Sequence, residues 1–225
     1  MLHAFNIKNA RRVLQPKASE HSIEKSEDAA TSMVFTPLTF MTPGEALDSL
    51  EAFLGDAASL PIAGRGPIRH TVDLWPGGLL ARSADGDHLT RCEPDLMITF
   101  EFEQGPSVIF IGEMKWGWSM PAADLRIELD REIEAIRRHD PHAVQVVFVI
   151  SQYAYGPMNQ VTLLTWKRFS SLLRPLAHRA PVTAASRWAD LVCTFLERAD
   201  QWGFAGIPQT YPLEAWSRHV AFWRP

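Results

Sequence analysis

A mixed α/β domain, helices packed on a central sheet, is expected from three observations in this 225-residue chain. A capping box opens a helical apolar pattern at Thr42. Short apolar runs between residues 67 and 115 are separated by Gly, Pro and Asp turns, and an amphipathic stretch ending at His139 leads into the apolar run Ala143 to Ser151. The expected order is helix, three strands, helix, strand, followed by a helical extension.

Residues 1–36 are polar, mixed in charge and without sustained periodicity, and read as an arm that is flexible or ordered by a partner. In Thr42-Pro43-Gly44-Glu45, Thr42 is an N-cap, Pro43 suits the first helical position and Glu45 can reach back to the cap. The helix should run to about Leu54 with Ala46, Leu47, Leu50, Phe53 and Leu54 on its apolar face. IRHTVDLW, the turn Pro76-Gly77-Gly78 and LLARS read as a first hairpin. LMITFEF, the turn Glu103-Gln104-Gly105-Pro106-Ser107 and VIFIGEMK read as a second, antiparallel one. A helix from about Pro121 to His139 presents Leu125, Leu129, Ile133 and Ile136, and Asp140-Pro141 ends it. The run from Ala143 to Ser151 is apolar enough to be a strand covered on both faces. Beyond it, Val161 to Trp166 suits another strand, and Phe169 to Ala177 and Ala185 to Gln201 suit helices. The divisions are therefore an arm at 1–36, a core at 37–167 and an aromatic-rich helical extension at 168–225 that packs on the core.

Composition narrows the class. The chain is 46% hydrophobic and 21% charged, which suits a globular domain with a full core. Its two cysteines, Cys92 and Cys193, are isolated, so neither a zinc site nor a disulfide framework is suggested. The longest apolar run, VQVVFVIS, has strand length, and no apolar segment follows the basic residues near the N-terminus; a cytoplasmic protein without a membrane span is expected. A net charge of −4 argues against strong, sequence-blind binding to nucleic acid.

The chemistry concentrates between Pro94 and Lys115. Side chains two apart on a strand share a face, so Glu113 and Lys115 project together, and the hairpin brings Asp95 opposite Glu113. Two carboxylates, with the Met114 carbonyl between, offer hard oxygen ligands of the kind Mg²⁺ takes. Lys115 would then stand beside a metal-activated water, to orient it or to neutralise charge on a phosphoryl group. Of the five lysines, Lys115 is the one with an acidic residue two positions before it. The competing reading is a structural Glu113–Lys115 pair on a sheet edge.

Pro94-Asp95 with Glu113-Met114-Lys115 resembles the core of the PD-(D/E)XK nuclease superfamily, the restriction-endonuclease-like fold. The resemblance spans roughly residues 42–151 and includes the α-β-β-β-α-β order. It implies a Mg²⁺-dependent nuclease in which Mn²⁺ substitutes, acting on nucleic acid and on DNA before RNA, with Asp95, Glu113 and Lys115 catalytic. It further implies an in-line attack leaving 5′-phosphate and 3′-hydroxyl ends. The family often adds a carboxylate from the first helix, for which Glu51 is the candidate here. Trp116 and Trp118 are candidates for stacking on substrate, or else packing residues around Gly117. Arg126 on the following helix is a candidate phosphate contact, or else a surface partner of neighbouring acids.

A second reading keeps the fold and drops the activity: a binding or assembly subunit of a restriction, repair, phage-defence or effector system, docking through the N-terminal arm or the aromatic tail. A homodimer is compatible with either. A Ser or Cys hydrolase is disfavoured, since there is no GxSxG and no Cys paired suggestively with a His.

Overall fold

The computed structural model describes residues 22–55, 60, 62, 65–83, 88–116 and 120–201. The elements are α1 (Ser22–Phe35), a 3₁₀ segment (Thr36–Phe40), α2 (Pro43–Leu54), β1 (Pro67–Leu74), β2 (Leu79–Arg82), β3 (Leu89–Cys92), β4 (Leu96–Phe102) and β5 (Val108–Lys115). Then follow α3 (Ala122–His139), β6 (Val144–Ser151), β7 (Val161–Thr165), α4 (Trp166–Ala177) and α5 (Ala184–Gln201). The architecture is mixed α/β. A five-stranded sheet has the order β1-β4-β5-β6-β7, antiparallel on the β1 side and parallel from β5 to β7, and β2 with β3 forms a separate ribbon.

Strand alternation gives the sheet two apolar faces. Phe100, Phe110, Phe148 and Ile150 join one core with α1, α2, α4 and α5. Ile109, Ile111, Val147 and Val149 join the other with Leu125, Leu129 and Ile136 of α3, and Leu79, Ala81 and Cys92 of the ribbon close it. Both central strands are thus buried from each side, which is why their sequences are nearly continuous in apolar residues. Among the described residues, no helix is long and apolar enough to cross a membrane.

Several sequence expectations hold. The Thr42 side chain accepts from the Glu45 N–H at 3.3 Å while Glu45 Oε2 accepts from the Thr42 N–H at 3.1 Å, and α2 ends at Leu54. The β4–β5 hairpin pairs in the expected register, with Gly105 at a φ of 85° in its turn. That left-handed angle suits a residue without Cβ.

Two expectations fail. Residues 22–35 are not an arm but helix α1, with Ala30, Val34 and Phe35 buried in the main core. The helix is hard to see because its buried stripe is built largely from small residues, Ala30, Thr31 and Ser32, which allow a close approach without a large apolar signal. The first hairpin also does not form: β1 pairs with β4, and β2 pairs with β3. Pairing with β4 sets Val72 and Leu74 on the helix-covered face beside Leu96 and Ile98, whereas Leu79 and Ala81 serve the opposite core. One hairpin could not satisfy both faces.

Gly112 precedes the motif and faces Phe148. A Cβ at residue 112 would lie 2.6 Å from Phe148 Cζ, and that ring is held edge-on by Phe53, 5.5 Å between centroids. Gly112→Ala is therefore expected to lower stability by about 1–3 kcal/mol through overpacking, read as a reduced urea midpoint at unchanged slope.

Candidate metal centre

The site lies at the ends of β4 and β5. Leu96 pairs with Gly112, so Asp95 comes next, opposite Glu113. The Met114 N–H donates to Asp95 Oδ2 at 2.9 Å and the Trp75 indole N–H donates to Oδ1 at 3.1 Å. With a donor on each oxygen, the carboxylate plane is fixed while lone pairs remain for further ligands. Trp75 itself has a φ of 51°, an uncommon angle for a bulky residue, and its backbone N–H donates to the Asp95 carbonyl at 3.2 Å.

Glu113 and Lys115 share the α3 face of β5 and are buried, at 3% and 4% exposure. The Lys115 ammonium donates to Glu113 Oε1 and lies 3.6 Å from Glu128 Oε2. Burial this deep rules out the expected alternative of an exposed sheet-edge pair. Met114 points its side chain into the opposite core, as alternation requires.

Three more carboxylates converge, and none of them was foreseen. Glu27 of α1 comes from the other face of the sheet and accepts from the Trp116 N–H at 2.8 Å. Burial, then the charge of Asp95, pushes its pKa up to about 7. Glu128 and Glu132 come from α3, and Glu132 is 2% exposed. Burial, then Asp95 and Glu128, pushes the Glu132 pKa up to about 8. Burial followed by Asp95 and Glu132 likewise raises Glu113 well above the carboxylate range. For Lys115, burial works to lower the pKa, but Glu113 and Glu128 outweigh it and hold the group firmly protonated. A cluster of five carboxylates, three of them buried and two half-buried, around one ammonium offers more oxygen ligands than Lys115 can satisfy, and it suits a hard cation.

Signals for two of the missed acids exist. Glu132 lies three residues after Leu129 and four before Ile136, on the apolar stripe of α3. A carboxylate in such a stripe is disfavoured unless it has a function or a partner. Glu27 precedes the buried Ala30 by three and Val34 by seven, on one helical face.

Other expected site residues lie elsewhere. Glu51 is exposed on α2, where burial and Asp48 raise its pKa against the opposing charge of Arg179; no residue of the centre contributes. The first-helix acid at the centre is Glu27, because α1, not α2, reaches the end of β5. Trp116 is a packing residue, 6% exposed, edge-on to Trp166 and stacked on Phe195, and so is closed to a nucleobase. Trp118 lies outside the described residues, as do Trp202, Phe204, Trp216, Phe222 and Trp223 of the aromatic tail. Arg126 grips Asp130 through two nitrogens, at 3.0 and 2.7 Å, and donates to the Asn159 carbonyl at 2.9 Å, tying α3 to the segment before β7. No protein-family model matches the chain, and no curated protein is detectably similar to it.

Proposed function

We propose that the protein is a Mg²⁺-dependent nuclease of the PD-(D/E)XK type, hydrolysing phosphodiester bonds of nucleic acid, with DNA ahead of RNA as the candidate substrate. The observation that carries this reading is the convergence of Asp95, Glu113 and Lys115 in a buried, acid-rich centre at the end of the β4–β5 hairpin. The element order supports it: with the β2–β3 ribbon set aside, α2, β1, β4, β5, α3 and β6 follow the α-β-β-β-α-β sequence, with antiparallel strands leading into a parallel pair.

Asp95 and Glu113, with the Met114 carbonyl and Glu27, would hold Mg²⁺ or Mn²⁺. When bound, such an ion lowers the pKa of a ligated water and stabilises charge on the phosphoryl oxygens. Trp75 and Met114 hold the Asp95 carboxylate in a fixed plane. Lys115 stays protonated because carboxylates surround it, so it serves as a donor and positive charge toward the phosphate or the attacking water rather than as a base. The β2–β3 ribbon and α3 exclude water from beneath Glu113 and Glu132, which strengthens each of these interactions.

Plasmid and single-stranded DNA incubated with Mg²⁺, Mn²⁺ or EDTA test the reading. Wild-type protein is expected to cut only with a divalent ion, and Asp95→Ala and Lys115→Ala to lose about 10²-fold or more, compared at a temperature where circular dichroism shows each variant folded. Equal cleavage by all three proteins would overturn it. Wild-type protein that binds Mn²⁺ yet cuts nothing would favour an assembly subunit that needs a partner to present substrate.

A further inference from the structure

Strand β1 stands at one edge of the five-stranded sheet, with β4 on one side and no strand on the other. Among the described residues, no backbone hydrogen bond ties this outer edge to another segment. An open strand edge is a template for a further strand.

One hydrogen bond fixes which groups face outward. The Trp75 N–H donates to the Asp95 carbonyl at 3.2 Å, so Trp75 and Asp95 form a hydrogen-bonded pair. Such pairs alternate with non-hydrogen-bonded ones along an antiparallel ladder, and β1 keeps its register with β4 from Arg69 to Leu74. Arg69, Thr71 and Asp73 therefore turn their N–H and C=O groups toward β4, while His70, Val72 and Leu74 turn theirs to the open edge. The side chains divide in the same way. Val72 and Leu74 enter the helix-covered core, whereas Arg69 and Asp73 are exposed on the other face with Thr71 half-buried between them.

A second β1 laid antiparallel on this edge, with the two-fold axis at Thr71, exchanges backbone hydrogen bonds between His70 of each strand and Val72 of the other. It sets Thr71 against Thr71 and, twice over, Arg69 against Asp73. These are non-hydrogen-bonded pairs, the ones whose side chains come closest, and Thr–Thr and opposite-charge pairs there are stabilising. Sliding one strand by a pair keeps the hydrogen bonds but puts Thr71 opposite a charge, so one register satisfies both. Apolar surface borders the edge: Ile68 is 62% exposed, and Phe40 is 77% exposed on the 3₁₀ segment whose Leu38 carbonyl lies 2.9 Å from His70 Nε2. The competing account is that the charges guard the edge. A guard repels a copy of itself, whereas Arg69 and Asp73 are opposite in sign and symmetric about Thr71.

We propose that the outer edge of β1 is a self-association surface, on which a second copy of this chain adds its own β1 and joins the two sheets into one. It holds whether or not the protein cuts nucleic acid. Six paired residues run about 20 Å and cover less than the roughly 800 Å² per partner of a standard interface, so a weak dimer dissociating on the order of 10 µM is expected.

Sedimentation equilibrium of the full chain, from about 1 to about 200 µM, brackets that value. Wild-type protein is expected to pass from monomer to dimer, and Arg69→Asp and Asp73→Arg each to weaken the dimer at least about tenfold, because like charges then meet at both pairs. An equimolar mixture of the two variants is expected to restore it, since every charge then meets its opposite on the other chain. Arg69→Asp also loses the pair with Glu101 at 3.7 Å, a loss within one chain that mixing does not repair. If circular dichroism shows that variant unfolded, Asp73→Arg alone decides, and an unchanged dimer would overturn the proposal. Wild-type protein that stays monomeric throughout, whether its edge is bare or covered by its own termini, would overturn it. So would a dimer that both single variants leave intact, or a mixture of folded variants that stays monomeric.

Discussion

Lys115→Met is expected to lower the stability of the protein in EDTA by about 3–5 kcal/mol, apart from the loss of cleavage that the proposed function implies. Its ammonium is 4% exposed and bonds a carboxylate that is 3% exposed, with Glu128 at 3.6 Å. Removing one partner of a buried pair leaves the other as an uncompensated charge, and that penalty exceeds what the intact pair contributes. The acidic centre makes the loss larger than for an isolated pair, because Glu27, Asp95 and Glu132 also act on Glu113 or on Lys115. Methionine matches the aliphatic stem, so packing changes little and the effect isolates the charge. Urea melts in EDTA measure it. The deficit should shrink as pH falls, because burial and the neighbouring acids already raise the pKa of Glu113 and an orphaned carboxylate there takes up a proton readily. Saturating Mn²⁺ should recover part of it by supplying positive charge. A loss under about 1 kcal/mol at pH 8 would mean that Lys115 is solvated, and the buried centre would be wrong.

The parts of this molecule legible in the sequence are those where one local rule decides. The Thr42–Glu45 box, the Gly-Pro turn before β5, the apolar stripe of α3 and the two-sided burial of β6 each depend on neighbours within a few residues. The facing of Asp95 and Glu113 follows from the same hairpin. What escaped depends on distant parts of the chain. Whether β1 pairs with β2 or β4 is settled by which core each apolar face fills, and that requires α2 and α3 in place. Helix α1 hides in a polar stretch because its buried face uses small side chains against the sheet. Trp116 beside the motif looks like a base-stacking residue, yet Trp166 and Phe195, fifty and more residues later, enclose it. Glu132 was visible as an acid in an apolar stripe; only β5 opposite shows that the acid has other carboxylates for company.

That company sets the dependence of stability on pH. Glutamate in the unfolded chain titrates near 4.5, whereas Glu27 is pushed up to about 7 and Glu132 to about 8 in the folded protein, by burial first and by neighbouring acids second. Between these values the folded state holds protons that the unfolded state has released. Stability must therefore fall as pH rises from about 5 to about 8, by up to about 1.4 kcal/mol per pH unit for each extra proton held. For a chain of this size that is about 3–5 °C of melting temperature per unit and per proton. The acid side has the opposite sign. Hydrogen bonds from Thr42 lower Glu45, and one from Ser107 lowers Asp140, so their stabilisation is lost as pH falls through their folded-state values. A maximum at about pH 5 is expected in thermal melts with EDTA, where the two opposing trends meet. On the proposed metal-binding role, a divalent cation would bind the ionised carboxylates and compete with those protons, so excess Mn²⁺ should flatten the decline toward pH 8 or reverse it. A melting temperature in EDTA that rises steadily from pH 5.5 to 8 would show that Glu27 and Glu132 titrate as ordinary surface acids, and the acidic cluster could not then be a buried centre.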